Sequence, residues 1–119
     1  MTQVKLKRVY DKESATDGFR VLVDRLYPRG IKKENLHYDV WAKEVAPSSD
    51  LRKWYHEDKE GRWSEFSKKY INELKKSPSV EHFVSQLKKH SVVTLLYASK
   101  DTGHNHAAVL QHYLEELLK

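Results

Sequence analysis

The chain has 119 residues, which fits one domain spanning 1–119 around a single core, and the expectation is that there is no separate cofactor domain. Hydrophobic residues make up 39% and charged residues 33%, polar for a globular chain, yet apolar positions recur with helical and strand periods and so argue against disorder. The net charge of +5 favours anionic partners, and the absence of cysteine excludes disulfides, thiolate zinc sites, iron–sulfur ligation and cysteine nucleophiles.

Val4-Lys5-Leu6-Lys7 alternates apolar and polar ahead of Arg8-Val9-Tyr10, which predicts a half-buried first strand over residues 4–10. Asp17-Gly18 marks a turn or bulge before a second strand. That strand, Phe19 to Leu26, has an apolar centre without alternation, as expected for a strand covered on both faces by helices. Pro28 pushes Tyr27 toward extended geometry, and Gly30 lets the backbone turn.

The middle third is helical and aromatic. Pro47-Ser48-Ser49-Asp50 supplies N-cap candidates for a short helix through Leu51-Arg52-Lys53-Trp54-Tyr55. Trp63, Phe66, Tyr70 and Leu74 recur at spacings of three and four and predict one apolar helix face. Ser77-Pro78 reads as an N-cap followed by proline at the first helical position, with Val80, Phe83, Val84 and Leu87 facing inward. A third strand covers Val92 to Ala98, and Ala107, Leu110, Leu114 and Leu117 form the inner stripe of a closing helix. This order predicts a compact single-domain α/β sandwich with a small, largely parallel sheet flanked by helices.

No apolar stretch approaches the roughly 20 residues of a membrane span, and the first residues lack the apolar core of a secretory signal. The expectation is a cytoplasmic protein with no membrane partner. The basic excess falls largely in Lys32-Lys33, Lys68-Lys69, Lys75-Lys76 and Lys88-Lys89, where solvated helix faces are the simpler reading.

Two strands open directly into charged tracts. The second runs into Asp24-Arg25-Leu26-Tyr27-Pro28-Arg29-Gly30, the third into Ser99-Lys100-Asp101-Thr102-Gly103-His104-Asn105-His106 ahead of a helix. Ligands of open α/β sheets sit outside the carboxyl ends of the strands, so these tracts are the expected site. Arginine grips phosphate or carboxylate through paired hydrogen bonds, and a helix N-terminus suits an anion. The predicted anion-binding residues are Arg25, Arg29, Arg52, Lys100 and Asn105. If there is a reaction, Asp24, Asp101 and His106 are the candidates for catalytic proton transfer. The plainer alternatives are an Asp–Arg pair that ties down a loop, and a helix cap made by Asp101, Thr102 or Asn105.

His104 and His106 invite a metal reading, with His56 and Asp58 as remote partners. Residues two apart on a helix project roughly 200° from each other, so no metal site is assigned. Trp41, Trp54 and Trp63, with Tyr38 and Tyr55 among Lys43, Arg52, Lys53 and Arg62, form an aromatic–basic pattern able to stack bases or simply to fill the core. The glycine-rich dinucleotide pattern, the Walker loop and the serine nucleophile elbow are absent, and no cofactor is expected.

Asp17 to Gly30, Trp41-Ala42-Lys43-Glu44-Val45-Ala46-Pro47-Ser48, Leu51-Arg52-Lys53-Trp54, Leu95 to Asp101 and Asn105-His106-Ala107 together resemble domain of unknown function family 488, in its YeaO-like branch. The resemblance spans nearly the whole chain, in order. Its motif positions fall on Asp24, Arg25, Pro28, Arg29, Gly30, Trp41, Lys43, Pro47, Ser48, Leu51, Arg52, Trp54, Lys100, Asp101, Asn105 and His106. Tyr27 departs from it, since relatives often have tryptophan there, but stacking is retained. The resemblance implies a small bacterial α/β protein without an established role. Some relatives carry a methyltransferase label, which nothing glycine-rich in this chain supports.

The leading expectation is an anion-binding pocket, for a phosphate or nucleotide-like ligand, between the exits of the second and third predicted strands. The alternatives are a noncatalytic nucleic-acid-binding module and a protein-interaction domain whose charged cluster is structural. The expected partners are thus an anionic small molecule or a nucleic acid.

Overall fold

Val92 to Tyr97 is apolar at every position but Thr94, and such a run can be buried on both faces only at the centre of a sheet. The computed structural model describes residues 2–119. Its strands are β1 (Gln3–Arg8), β2 (Phe19–Leu22), β3 (Val40–Trp41) and β4 (Val92–Tyr97). They form one sheet in the order β1-β4-β2-β3, with every neighbouring pair parallel. β4 lies between β1 and β2, in register from Gln3 opposite Val92 to Arg8 opposite Tyr97.

Side-chain alternation divides the sheet into two faces. Val4, Val21, Val23, Val93 and Leu95 join the large core, with Phe66, Tyr70, Leu74, Phe83, Leu110 and Leu114. Full burial of one such large side chain contributes roughly 1.5–3 kcal/mol. The helices α1 (Ser49–His56), α2 (Lys59–Lys76), α3 (Pro78–Leu87) and α4 (His106–Leu117) all contribute to this cluster. On the opposite face Val9, Leu22 and Leu96 are covered by Leu36, Tyr27, Ile31, Tyr38 and Trp41, all from β3 or irregular segments. The expectation of helices on both faces of the second strand is therefore corrected.

The reason lies in chain direction. From β1 to β2 to β3 the chain advances across the sheet by helix-free connections, then returns to β4 through three helices. Right-handed crossovers taken in opposite directions lie on opposite faces. At the carboxyl ends of the neighbours β2 and β4 the chain consequently leaves to opposite sides, which opens a crevice between them.

The helix ends are set by local chemistry. The Ser48 hydroxyl accepts from Leu51 N at 3.2 Å and donates to Glu73 Oε2 at 2.7 Å, so the cap of α1 is itself anchored on α2. Asn105 Oδ1 accepts from Ala108 N at 2.8 Å and caps α4. Pro78 opens α3, although the Ser77 side chain makes no capping bond. In α4 the inner stripe is Ala107, Leu110 and Leu114, but Leu117 is exposed and Leu118, four residues after Leu114, closes it instead.

All three predicted strands are shorter than expected, β4 only by Ala98. β1 ends at Arg8, although Val9 N still bonds the Tyr97 carbonyl at 2.8 Å. β2 ends at Leu22 and Val23 N makes one more bond, to Leu96 O at 3.1 Å. Beyond it the Asp24 carbonyl is taken by the Trp41 indole N–H at 2.7 Å rather than by a strand. Gly18, with φ of 66°, makes the turn into β2, and a Cβ there would collide with the Val92 carbonyl.

One buried charge cluster sits on the loop-covered face. Asp17 is 1% exposed and pairs with Lys7 Nζ at 2.7 Å and with the Arg20 guanidinium. Burial alone would raise its pKa, but hydrogen bonds from Lys7, the Ser14 backbone and Arg20 outweigh this and hold it at about 2.

Candidate cation-walled cleft

The crevice outside β2 and β4 is a cleft of about 530 Å³. Its edge from the β2 exit carries Asp24, Arg25 and Leu26, its edge from the β4 exit carries Ala98 to Asp101 and His104 to His106, and the corner between α1 and α2 overhangs it with Arg52, Tyr55, His56 and Lys59.

Asp24 fastens the two exits together, because its Oδ2 accepts from Ala98 N at 3.0 Å. Its Oδ1 is buried without a hydrogen bond. His106 Nε2 lies 3.2 Å from that oxygen and 3.0 Å from the Val23 carbonyl. One ring proton serves one acceptor, and the geometry directs it to Val23, leaving Asp24 Oδ1 without a hydrogen bond of its own.

Arg25 lines the cleft while its Nε and Nη2 donate to Pro47 O at 3.2 and 3.0 Å and its Nη2 to Ala46 O at 3.4 Å. It thereby ties down the segment entering α1 through backbone carbonyls, not through the Asp–Arg pair weighed from the sequence. Asn105 has both amide ends occupied, since Nδ2 donates to Asp101 O at 2.8 Å while Oδ1 caps α4. Asp101 Oδ1 accepts from Gly103 N at 3.0 Å and His104 N at 2.8 Å. These backbone bonds lower its pKa below 3.8, so at neutral pH it is a carboxylate and an acceptor.

Arg52 and Lys100 line the cleft, and Lys59 joins them from the first turn of α2. None of the three makes a salt bridge or a side-chain hydrogen bond with another described residue. Arg29 is exposed outside the lining, where its carbonyl accepts from the Tyr10 hydroxyl at 2.9 Å. The lining thus sets four basic side chains, Arg25, Arg52, Lys59 and Lys100, against two carboxylates. His56 registers that field. Burial lowers its pKa first, then the charges of Lys59 and Arg52.

Sequence reasoning missed Lys59, Tyr55 and Phe66 as cleft residues, and raised His56 only as a metal partner. Helical periodicity identifies α1 and α2 but not how their corner swings over the sheet edge. The three tryptophans have neighbours of their own. Lys43 Nζ sits 4.0 Å from the Trp41 ring, Arg62 and Lys69 lie 4.6 and 4.0 Å from Trp54, and His104 stacks on Trp63 at 4.5 Å. These ring faces are partly occupied within the chain. Among the described residues no group of three or more His, Asp or Glu could hold a metal ion. Nor is any helix among the described residues long and apolar enough to cross a membrane.

Fold and cleft together define a small parallel α/β protein with a cation-walled crevice at the point where its strand order reverses. The chain belongs to the DUF488 family: the family model described as "Inactive DUF488-N3 subclade" matches residues 3–119. It is 42% identical over 114 residues to the uncharacterized protein YeaO of Escherichia coli strain K12, covering 96% of this chain and 98% of that protein. It is also 42% identical over 113 residues to the uncharacterized proteins Mb3100c of Mycobacterium bovis and Rv3073c of Mycobacterium tuberculosis strain H37Rv, covering 95% of this chain and 94% of each. The YeaO-like resemblance holds along the chain. No solved structure gives a significant match.

Proposed function

We propose that the protein is a noncatalytic binder of small phosphorylated anions, held in the cleft between the β2 and β4 exits. The observation that carries this reading is the convergence of Arg52, Lys59 and Lys100, none of them paired with a carboxylate, on one cleft at the switch point of a parallel sheet. Cations left unpaired around a concave site attract an anion and can bond it when it arrives.

The proton-transfer candidates support binding over turnover. Asp24 is bonded to the Ala98 backbone, His106 to Val23, and Asp101 to two backbone amides. The family model's own description, an inactive subclade, agrees with this. No glycine lines the cleft, and nothing in its lining favours the methyltransferase label. In this reading the protein works in the cytoplasm, where a chain without cysteine loses nothing to the reducing conditions.

The test is isothermal titration calorimetry with inorganic phosphate and with phosphate monoesters. Loss of one charge-assisted contact costs about 1.5 kcal/mol or more, so Arg52→Ala and Lys100→Ala are each expected to weaken binding about tenfold or more. Wild-type protein that takes up none of these anions would overturn the reading. So would retention of nucleic acid alone, with a steep salt dependence, which would favour the nucleic-acid-binding alternative.

A further inference from the structure

Resting on that reading, we infer that the cleft selects phosphate monoesters whose organic part carries free hydroxyls, and that Tyr55 is the residue that makes the selection. Tyr55 is only 7% exposed, and its side chain lines the cleft. Its ring is fixed by stacking on Phe66 at 4.4 Å, with Trp63 at 5.8 Å and His56 at 5.9 Å. Its hydroxyl makes no hydrogen bond with any other described residue. The ring is buried but the hydroxyl keeps contact with solvent, and a donor and acceptor held on a rigid ring at a cleft wall can bond a ligand.

A second group narrows the chemistry. Asp101 has Oδ1 engaged by the amides of Gly103 and His104, and its Oδ2 makes no hydrogen bond with another described residue. Tyr55 and Asp101 both line the cleft, and burial, with the Asp101 charge adding to it, raises the Tyr55 pKa above 10.0. A carboxylate repels a second anionic group and accepts only from donors, whereas a phenol both donates and accepts. The cations therefore call for a negative group, and Tyr55 with Asp101 calls for a group that donates and accepts, as a hydroxyl does.

Size agrees. A cleft of about 530 Å³ falls within the roughly 300–1,000 Å³ of pockets that hold organic ligands, far more than an inorganic phosphate fills. Leu26 at the lip, 68% exposed, and the buried Phe66 supply apolar contact for a carbon skeleton.

The experiment compares ribose 5-phosphate with phenyl phosphate, which has no hydroxyl, by calorimetry on wild type and Tyr55→Phe. Ribose 5-phosphate is expected to bind about tenfold more tightly than phenyl phosphate, the scale of one or two neutral hydrogen bonds. Tyr55→Phe is expected to remove most of that preference while leaving phenyl phosphate affinity and the melting temperature unchanged, since the hydroxyl has no partner in the fold. Adenosine 5′-monophosphate, with hydroxyls on a ribose that also carries a base, is expected to weaken in the same variant. Equal affinity for the two esters in wild type, or equal loss of both in Tyr55→Phe, would overturn the inference and leave the anion-binding reading standing. No binding of any phosphate by wild type would overturn both.

Discussion

Two clusters of charged side chains sit at different places on this sheet. On the loop-covered face, Asp17, Lys7 and Arg20 are packed together, and Arg20 Nε also donates to His37 O at 2.8 Å. At the carboxyl edge, Arg52, Lys59 and Lys100 stand around an open cleft with no ionic partner. A buried charge survives only when it is paired and hydrogen-bonded, so the first cluster belongs to the fold. The second is solvated and unpaired, and is free to meet a ligand.

The largest effect that tests this contrast is Asp17→Asn. Removing one member of a buried ionic group leaves the others uncompensated and costs about 3–5 kcal/mol, which urea denaturation would read directly. A loss below about 1 kcal/mol would erase the distinction between the clusters. The pH dependence has a definite sign. The folded pKa of Asp17 is about 2 against 3.8 without the fold, so its contribution is present above 3.8 and is lost as pH falls through 2. The variant should lose that acid limb.

Gly18→Ala comes next, with an expected loss of about 1–3 kcal/mol, because φ of 66° is strained for alanine and its Cβ would meet the Val92 carbonyl. The cleft cluster should behave in the opposite way. Arg52→Ala is expected to weaken phosphate binding about tenfold with a change in stability under about 0.5 kcal/mol, the usual range for surface substitutions. Arg25→Ala sharpens the comparison from within the cleft. Its guanidinium serves the Ala46 and Pro47 carbonyls, so it should lower stability by about 1–2 kcal/mol as well as any affinity.

The difference between the clusters also explains what the sequence could reveal. Parallel pairing, the apolar central strand and the switch-point crevice were legible because strand runs, helical stripes and crossover handedness are properties of the chain's pattern. β3 was not, since two residues, Val40 and Trp41, show no alternation. Asp24 and Lys100 could be placed at strand exits from sequence order alone. Lys59 and Tyr55 reach the cleft through the corner between α1 and α2, a long-range packing outcome with no local signature. Asn105 was read both as a cap and as an anion ligand, and only its two hydrogen bonds separate these roles. The Asp17 cluster was invisible for a related reason. Lys7, Asp17 and Arg20 belong to different segments, and their burial depends on how the β1–β2 connection crosses β4, where the Thr94 hydroxyl donates to Asp17 O at 2.6 Å.

The smallest effect lies at the solvent-facing end of the same loop-covered face. His37 Nδ1 is 2.6 Å from Glu13 Oε2 and its Nε2 is 3.3 Å from Asp39 Oδ1, so the ring joins the segment after β1 to the segment before β3. The hydrogen bond to Glu13 raises its pKa above 6.5 against the opposing effect of burial, with the charges of Glu13 and Asp39 adding to the rise. A raised histidine pKa stabilises the fold below 6.5, and that contribution fades as pH rises through the folded value. The group is half exposed, so solvent screening keeps the effect small. The melting temperature should therefore drop slightly between about pH 6 and pH 8 in wild type and stay level in His37→Gln. An equal drop in the variant would assign the alkaline trend to another group, whereas a drop confined to wild type shows that even the exposed rim of the loop-covered face is held by paired charge.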